Sequence, residues 1–331
     1  MIDPAGGMDP ADGMDTLGGR YRLLEQIGTG GMARVWRAYD EVLARPVAVK
    51  LLGAEDDRDS RAFDRARTEA RCAGRLAHPN VAAVYDFGTS RRGGRGVPYL
   101  VMELVEGPLL SDYLRRGVLH PATAVRVCAE VSAGLAAAHA HGIVHRDIKP
   151  TNVVLTQSGA KILDFGIAAR TGEPDLPEDG WVVGTPAYMA PERMDGHPIT
   201  PALDMYSLGI VLYRCLTATL PWSADNDTDM LRAHYWQDPA PLPVIAGLDD
   251  DAARICMACL CTGPDERPTA AAAALILAAT IDAQVYLPAV PRPMPAAGPA
   301  SDPPVGNRTD AELDGLTTRY RRQRGSQAGA A

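Results

Sequence analysis

Lysine is nearly missing from this chain of 331 residues. Of its 33 basic residues only Lys50, Lys149 and Lys161 are lysine, which leaves 30 arginines. Something forbids a guanidinium at particular places. A compact ammonium that must slot between phosphates, or stand beside a reacting hydroxyl, cannot be exchanged for a planar fork without losing its geometry. A positive balance is missing too. The net charge of -8 argues against a broad basic surface for nucleic acid or anionic lipid, and leaves proteins and small phosphorylated molecules as partners. No apolar run reaches the roughly 18 residues of a membrane span, and the stretch from Met1 to Gly19, rich in Asp, Gly and Pro, lacks the apolar core of a signal peptide. A soluble, cytoplasmic protein is the expectation. Six cysteines are too few and too scattered for a disulfide framework, so reduced thiols are expected. Cys256, Cys259 and Cys261 cluster without the second ligand pair that a zinc site needs, and Cys256 and Cys259 fit one buried helix face.

With 46% hydrophobic residues the chain can bury a sizeable core, and its length suits one bilobal unit or two domains. Five short strands are read at Tyr21 to Ile27, Arg34 to Tyr39, Pro46 to Leu51, Val81 to Phe87 and Pro98 to Glu103, with one helix from Ser60 to Leu76. Helical spacing then dominates, at Ala122 to His141, Ala202 to Thr217, Ala252 to Cys261 and Ala270 to Ala279. The expected organisation is a flexible segment over 1–19 and a folded domain over 20–285. Within that domain a small lobe covers about 20–103 and a large lobe about 108–285. The stretch 286–331, rich in Pro, Ala and Gly, cannot offset its own ordering entropy and reads as a disordered tail. Its Arg319 to Arg324 cluster is either solvated or a contact for acidic partners. The Arg91 to Gly96 run, lying between two strands, reads as a hairpin loop rather than a nucleic-acid box.

Gly28, Gly30 and Gly31 join the first two strands, where a loop without bulky side chains lets backbone amides approach phosphate oxygens. A plain glycine hairpin would look the same. The strand Val47-Ala48-Val49-Lys50 points Ala48 and Lys50 to one face, where Lys50 could meet phosphates while a helix carboxylate, best placed at Glu69, steadies its ammonium. A solvated Lys and Glu is the alternative. The strongest segment runs from His145 through Arg146, Asp147, Ile148, Lys149, Pro150 and Thr151 to Asn152, joining a carboxylate, a lysine two residues on and an asparagine five residues on.

Together these motifs resemble the eukaryotic-like (Hanks-type) serine/threonine protein kinases of bacteria, from about Tyr21 to Ala279. The resemblance implies an α+β, bilobal protein kinase fold, with a small antiparallel β-sheet lobe carrying one helix and a larger, mainly helical lobe. It implies transfer of the γ-phosphoryl group of ATP to Ser and Thr hydroxyls of protein substrates, and autophosphorylation. Asp147 would then take the hydroxyl proton and Lys149 neutralise the group in transfer. Asn152 and Asp164, the first residue of Asp164-Phe165-Gly166, would hold Mg²⁺, with Mn²⁺ as an alternative ion. ATP would be covered by the loop of Ile27, Gly28, Thr29, Gly30, Gly31, Met32, Ala33 and Arg34. Val35, Ala48 and Val154 would sandwich the base, with Met102 as gatekeeper and Glu103 and Val105 offering hinge hydrogen bonds. Thr185, Glu192, Asp204 and Arg267 match the platform on which a peptide lies, Arg267 as buried partner of Glu192 and Asp204 as acceptor of catalytic-loop amides. By analogy alone, the family implies a homodimer through the small lobe.

Ala33 stands where a third loop glycine would be, and Ala73 is smaller than the residue usually stacked above Phe165. Between Phe165 and Gly184 the only hydroxyl residue is Thr171, and Asp179 falls where relatives are phosphorylated. Glu178 and Asp179 either substitute for phosphothreonine, facing Arg146 and Arg170, or form a solvated acidic loop. Two other functions share parts of this pattern. A small-molecule phosphotransferase would lack the peptide platform, and a pseudokinase scaffold would be expected to lose Lys50, Asp147, Asn152 or Asp164.

Overall fold

The computed structural model describes residues 16–30, 33–52, 74, 76–92, 95–164, 169–173 and 185–287, all within one unit of the chain, 1–289. Nearly all of the helix expected from Ser60 to Leu76, with Glu69 and Ala73, lies outside the described residues, as do Gly31, Met32, Phe165 and the stretch 174–184.

A six-stranded antiparallel sheet builds the small lobe. Its strands are β1 (Thr16–Leu17), β2 (Tyr21–Gly30), β3 (Ala33–Asp40), β4 (Arg45–Leu52), β5 (Val84–Arg92) and β6 (Arg95–Met102), in the order β1-β2-β3-β4-β6-β5. The two-residue alternation of β4 explains its central place. Val47, Val49 and Leu51 pack with Leu17, Tyr21, Ala38, Tyr99 and Val101 on one face, while Ala48 lies with Leu100, Met102, Val35 and Leu52 on the other. The second face is the one that carries Lys50. The segment expected to be loose up to Gly19 is strand at Thr16–Leu17, because Leu17 is buried in the first of these clusters. The β5–β6 hairpin extends further than the sequence indicates, pairing Arg92 with Arg95, so most of the Arg91 to Gly96 run is ladder.

The large lobe is built on α2 (Pro121–Ala140), α3 (Ala202–Thr217), α5 (Asp250–Cys259) and α6 (Ala270–Ala279). Proline at the first position of α2 costs no hydrogen bond, and Gly142, at φ +69, turns the chain out beyond its end. Two helices were not legible in the periodicity. α1 (Leu110–Leu114) is a single short turn, and α4 (Asp227–Trp236) buries only Met230, Ala233 and His234. A local signal for α4 existed, since the Asn226 side chain accepts the Asp229 amide at 2.9 Å. α5 begins two residues earlier than its apolar spacing suggests because Asp249 caps it, accepting the Asp251 amide at 2.8 Å. Cys256 and Cys259 are buried on its inner face.

Short strands bracket the segment from His145 to Asn152. β7 (Ile143–Val144) pairs with β10 (Ala169–Arg170), and β8 (Val153–Thr156) pairs with β9 (Gly159–Ile162). The loop leaves β7 at His145 and re-enters β8 at Val153, while Asp164 follows β9. Hydrogen bonds from Ile162 to Asn80 and from Ala82 to Ile162, both 2.9 Å, tie β9 to the stretch leading into β5.

Two ion pairs hold distant parts of the chain. Arg20 donates from Nε and Nη2 to both carboxylate oxygens of Asp40, each at 2.7 Å, closing β2 onto the end of β3. In the large lobe Arg267 donates to both oxygens of Glu192, at 2.7 and 2.9 Å, and to the carbonyls of Cys261, Ala202 and Thr262. Its guanidinium also lies 4.7 Å from the centre of the Tyr206 ring. All five N–H donors are thereby used.

The Arg20 hydrogen bond holds the Asp40 carboxyl down at about 2 against the opposing effect of burial, with help from the Leu43 and Val42 amides. The ionised form is thus favoured in the folded protein. Its contribution is complete above the ordinary carboxylate range and is lost as pH falls toward 2. Asp40→Asn should lower the thermal midpoint at neutral pH, and the gap to the parent should close as the pH of the melts is taken below about 4. Arg267→Met, which leaves Glu192 buried without its cation, should cost about 3 to 5 kcal/mol in urea unfolding. A loss under about 1 kcal/mol would count against the pair as a structural bolt.

Candidate active site

The glycine hairpin is formed by β2 and β3, with Gly28 opposite Val35, Thr29 opposite Arg34 and Gly30 opposite Ala33. A methyl group on Gly28 would meet Val35 at an ordinary 3.7 Å, so the protein's own packing does not demand glycine there. Ile27 is an exposed residue of β2. Val35 faces Lys50 across the β3–β4 ladder, and Ala48 faces Met102 across the β4–β6 ladder. Together with Leu104 they line the wall of an apolar cluster. Val154, buried on β8, pairs across an isolated bridge with Leu109.

At the hinge, Gly107 has φ +151 and a methyl group there would lie 2.3 Å from the Leu155 carbonyl oxygen, so only glycine lets the chain pass this close to β8. Glu103 donates its amide to the Ala83 carbonyl at 2.8 Å. Its side chain accepts the Ala83 amide at 3.1 Å and Lys161 at 2.8 and 3.0 Å. Among the described residues neither the Glu103 carbonyl nor the Val105 amide is used in a hydrogen bond, which leaves both groups for a ligand. The third lysine thus braces the hinge against β9, a role the sequence reading did not assign.

Lys50 is 5% exposed and forms an ion pair with Asp164. The strand carrying Lys50 and the turn following β9 are thereby joined at the cleft. Glu69, expected to steady Lys50, lies outside the described residues. Asp164 has φ +55, in the left-handed region that a residue with a side chain rarely adopts.

Around Asp147 the geometry is dense. Lys149 Nζ lies 2.7 Å from Asp147 Oδ2 and donates to Thr185 Oγ1 at 2.8 Å, so the link from Thr185 to Asp147 runs through Lys149. Asn152 donates from Nδ2 to Asp147 Oδ2 at 3.0 Å and to the Asp147 carbonyl at 2.8 Å. The amide nitrogen of Asn152 is therefore spent inside the loop, and its Oδ1 is the end left for a cation. An amide oxygen and the carboxylate of Asp164 are the hard donors that Mg²⁺ favours, so these residues fit that ion.

The loop backbone is carried from beneath. Asp204 is 0% exposed, and it accepts the amides of His145 at 2.9 Å and Arg146 at 2.8 Å and the His139 Nε2–H at 2.8 Å. Burial pushes its carboxyl up, but the hydrogen bond and charge of His139 and the His145 amide outweigh burial and hold it below the ordinary carboxylate value. His145 accepts the Asp147 amide at Nδ1, 3.2 Å away, and donates from Nε2 to the Leu163 carbonyl at 3.0 Å. One imidazole therefore links the loop to the residue before Asp164. The supporting roles of His139 and His145 have no signal in spacing, since each depends on elements that meet only in the fold.

The platform residues meet on one side of the same lobe. Thr185 accepts from Lys149, Glu192 lies beside Arg267, and Tyr188 accepts from the Ser207 hydroxyl at its carbonyl, 2.7 Å away, and from Arg214 at its own hydroxyl oxygen. Asp179 and Glu178 lie outside the described residues, so their suggested contact with Arg146 and Arg170 has no geometry here. Among the described residues no group of three or more His, Cys, Asp or Glu side chains could hold a metal, and no helix is long and apolar enough to cross a membrane.

Comparison with known proteins agrees with this arrangement. The family model described as protein kinase domain matches residues 21–276. The serine/threonine-protein kinase PknA of Mycobacterium tuberculosis is 44% identical over 231 residues, which are 69% of this chain and 54% of that protein. PksC of Streptomyces coelicolor is 38% identical over 336 residues, covering 95% of this chain and 60% of its own length. PknB of Mycolicibacterium smegmatis is 40% identical over 230 residues, 68% of this chain and 37% of its own. The chain spans a little over half the length of the first two relatives. The match of the family model from residue 21 to 276 shows that the chain belongs to the protein kinase domain family, and the relatives it resembles are bacterial serine/threonine-protein kinases.

Proposed function

We propose that this protein transfers the γ-phosphoryl group of ATP to serine and threonine hydroxyls of other proteins. The observation that carries the reading is the Asp147 carboxylate, held by Lys149 and Asn152 within a loop whose amides are fixed by Asp204. A carboxylate so restrained can aim an incoming alcohol. The hydroxyl oxygen forms a bond to the γ-phosphorus as the bond from that phosphorus to the β–γ bridging oxygen breaks. The hydroxyl proton passes to Asp147, whose part depends on placement more than on basicity. Lys149 lies within reach of the charge gathering on the transferred group, and Thr185 keeps its ammonium turned that way.

On the nucleotide side, Lys50 would pair with the α and β phosphates. The apolar face of Val35, Ala48, Met102 and Val154 suits an adenine ring, with the Glu103 carbonyl and Val105 amide facing its polar edge. Asn152 and Asp164 would hold Mg²⁺, which supplies charge neutralisation at the phosphates. The buried Glu192–Arg267 pair and Thr185 support a peptide substrate over a small one, because they belong to a platform that a small alcohol does not require.

With radiolabelled ATP and a generic protein acceptor, Asp147→Asn should lower kcat by about a hundredfold or more, while nucleotide affinity stays near that of the parent. Lys50→Met should chiefly weaken productive use of ATP. Acid hydrolysis of the labelled acceptor should release phosphoserine and phosphothreonine. Labelling by Asp147→Asn at the parental rate would sink the reading.

A further inference from the structure

Arg193 is a cation that the reaction scheme leaves without a task. It is 6% exposed, a depth at which arginine is seldom found unless something is gained by it. It lies in the short helical turn Pro191–Asp195, directly after Glu192, so the Glu192–Arg267 pair fixes its backbone. From there its Nη1 donates to the Arg146 carbonyl at 3.3 Å.

That carbonyl belongs to the peptide unit that leads into Asp147. The unit is planar and rigid, so its C=O and the Asp147 N–H turn together. Arg193 holds the first, and His145 Nδ1 accepts the second at 3.2 Å. The Arg146 amide, one unit earlier, is held by Asp204 Oδ1 at 2.8 Å. Arg146 itself has φ +68, a left-handed conformation that is unfavourable for a residue with a side chain and persists only where its surroundings enforce it. Rotation of the Arg146–Asp147 peptide changes ψ of Arg146 and φ of Asp147, and the change at Asp147 would turn its carboxylate away from Lys149 and Asn152.

We infer that Arg193 is a positioning residue for Asp147, acting through the Arg146 carbonyl. An arginine suits the task because it keeps its charge at any working pH even when buried, and its donors hold a fixed fork. The inference deepens the reading of Asp147 as proton acceptor and rests on it.

The test uses the full chain and a double-variant cycle. Arg193→Gln, Arg193→Lys, Asp147→Asn and the pairs with Asp147→Asn are compared in steady-state phosphorylation and in binding of a fluorescent ATP analogue. Arg193→Gln should lower kcat by about tenfold to a hundredfold with KM for ATP and analogue affinity unchanged. Arg193→Lys should recover most of that loss. With Asn already at position 147, Arg193→Gln should cost less than about twofold, because the carboxylate that Arg193 aims is no longer there. Should the Arg193→Gln protein fail to fold, the Arg193→Lys protein carries the test, its smaller fall in kcat likewise vanishing beside Asp147→Asn. Equal fractional losses in the two backgrounds, an unchanged kcat, or a parallel loss of nucleotide binding would each overturn the inference. Parental turnover in Asp147→Asn alone would instead overturn the reading beneath it.

Discussion

A loop whose amides point inward is stable only where something accepts them, and in this protein that acceptor is Asp204. Its carboxylate is wholly buried, a costly place for a charge. It is stable there because two backbone amides and His139 meet its oxygens. Each such charge-assisted bond contributes about 1.5 to 3 kcal/mol. The first turn of α3, in which Asp204 lies, adds the favourable end of a helix dipole. The backbone of His145 and Arg146 therefore has one low-energy course, and Asp147 follows from it.

The same turn of α3 serves a second purpose. The Ala202 carbonyl accepts from Arg267, which holds Glu192, and the turn after Glu192 sends Arg193 to the carbonyl of Arg146. The loop from His145 to Asn152 and the turn that carries Glu192 are thus two branches mounted on one helix end. A disturbance at Glu192 would be felt at Asp147 without crossing the cleft. This accounts for the depth at which these charges are placed, where exposed pairs would hold nothing so firmly.

Much of this was legible in the residues. Period-two spacing located β4 and the face of Lys50, and the segment from His145 to Asn152 named its own loop because a carboxylate, an ammonium and an amide at those offsets can converge on one point. Apolar spacing fixed both ends of α3 and α6. The failures share a cause. α1 is too short for any period, α4 buries only three residues, and the start of α5 is set by the Asp249 side chain rather than by burial. Contacts between elements far apart in sequence were the least accessible. Nothing local to His139 says that Asp204, 65 residues on, will receive its ring N–H. Arg193 was passed over for the same reason, while Lys161 was visible as the odd third lysine without its partner Glu103 being evident.

The placement of the lysines has a chemical corollary. Lys50, Lys149 and Lys161 each engage a carboxylate in or beside the cleft, and each is largely covered. Apart from the α-amino group, the molecule presents no other primary amine, since its remaining cations are arginine. Acylating reagents, amine cross-linkers and enzymes that acetylate or conjugate side-chain amines would find side-chain targets only at these three lysines, in or beside the cleft. Modification of those side chains, mapped separately from the α-amino group, would therefore report on how accessible the cleft is.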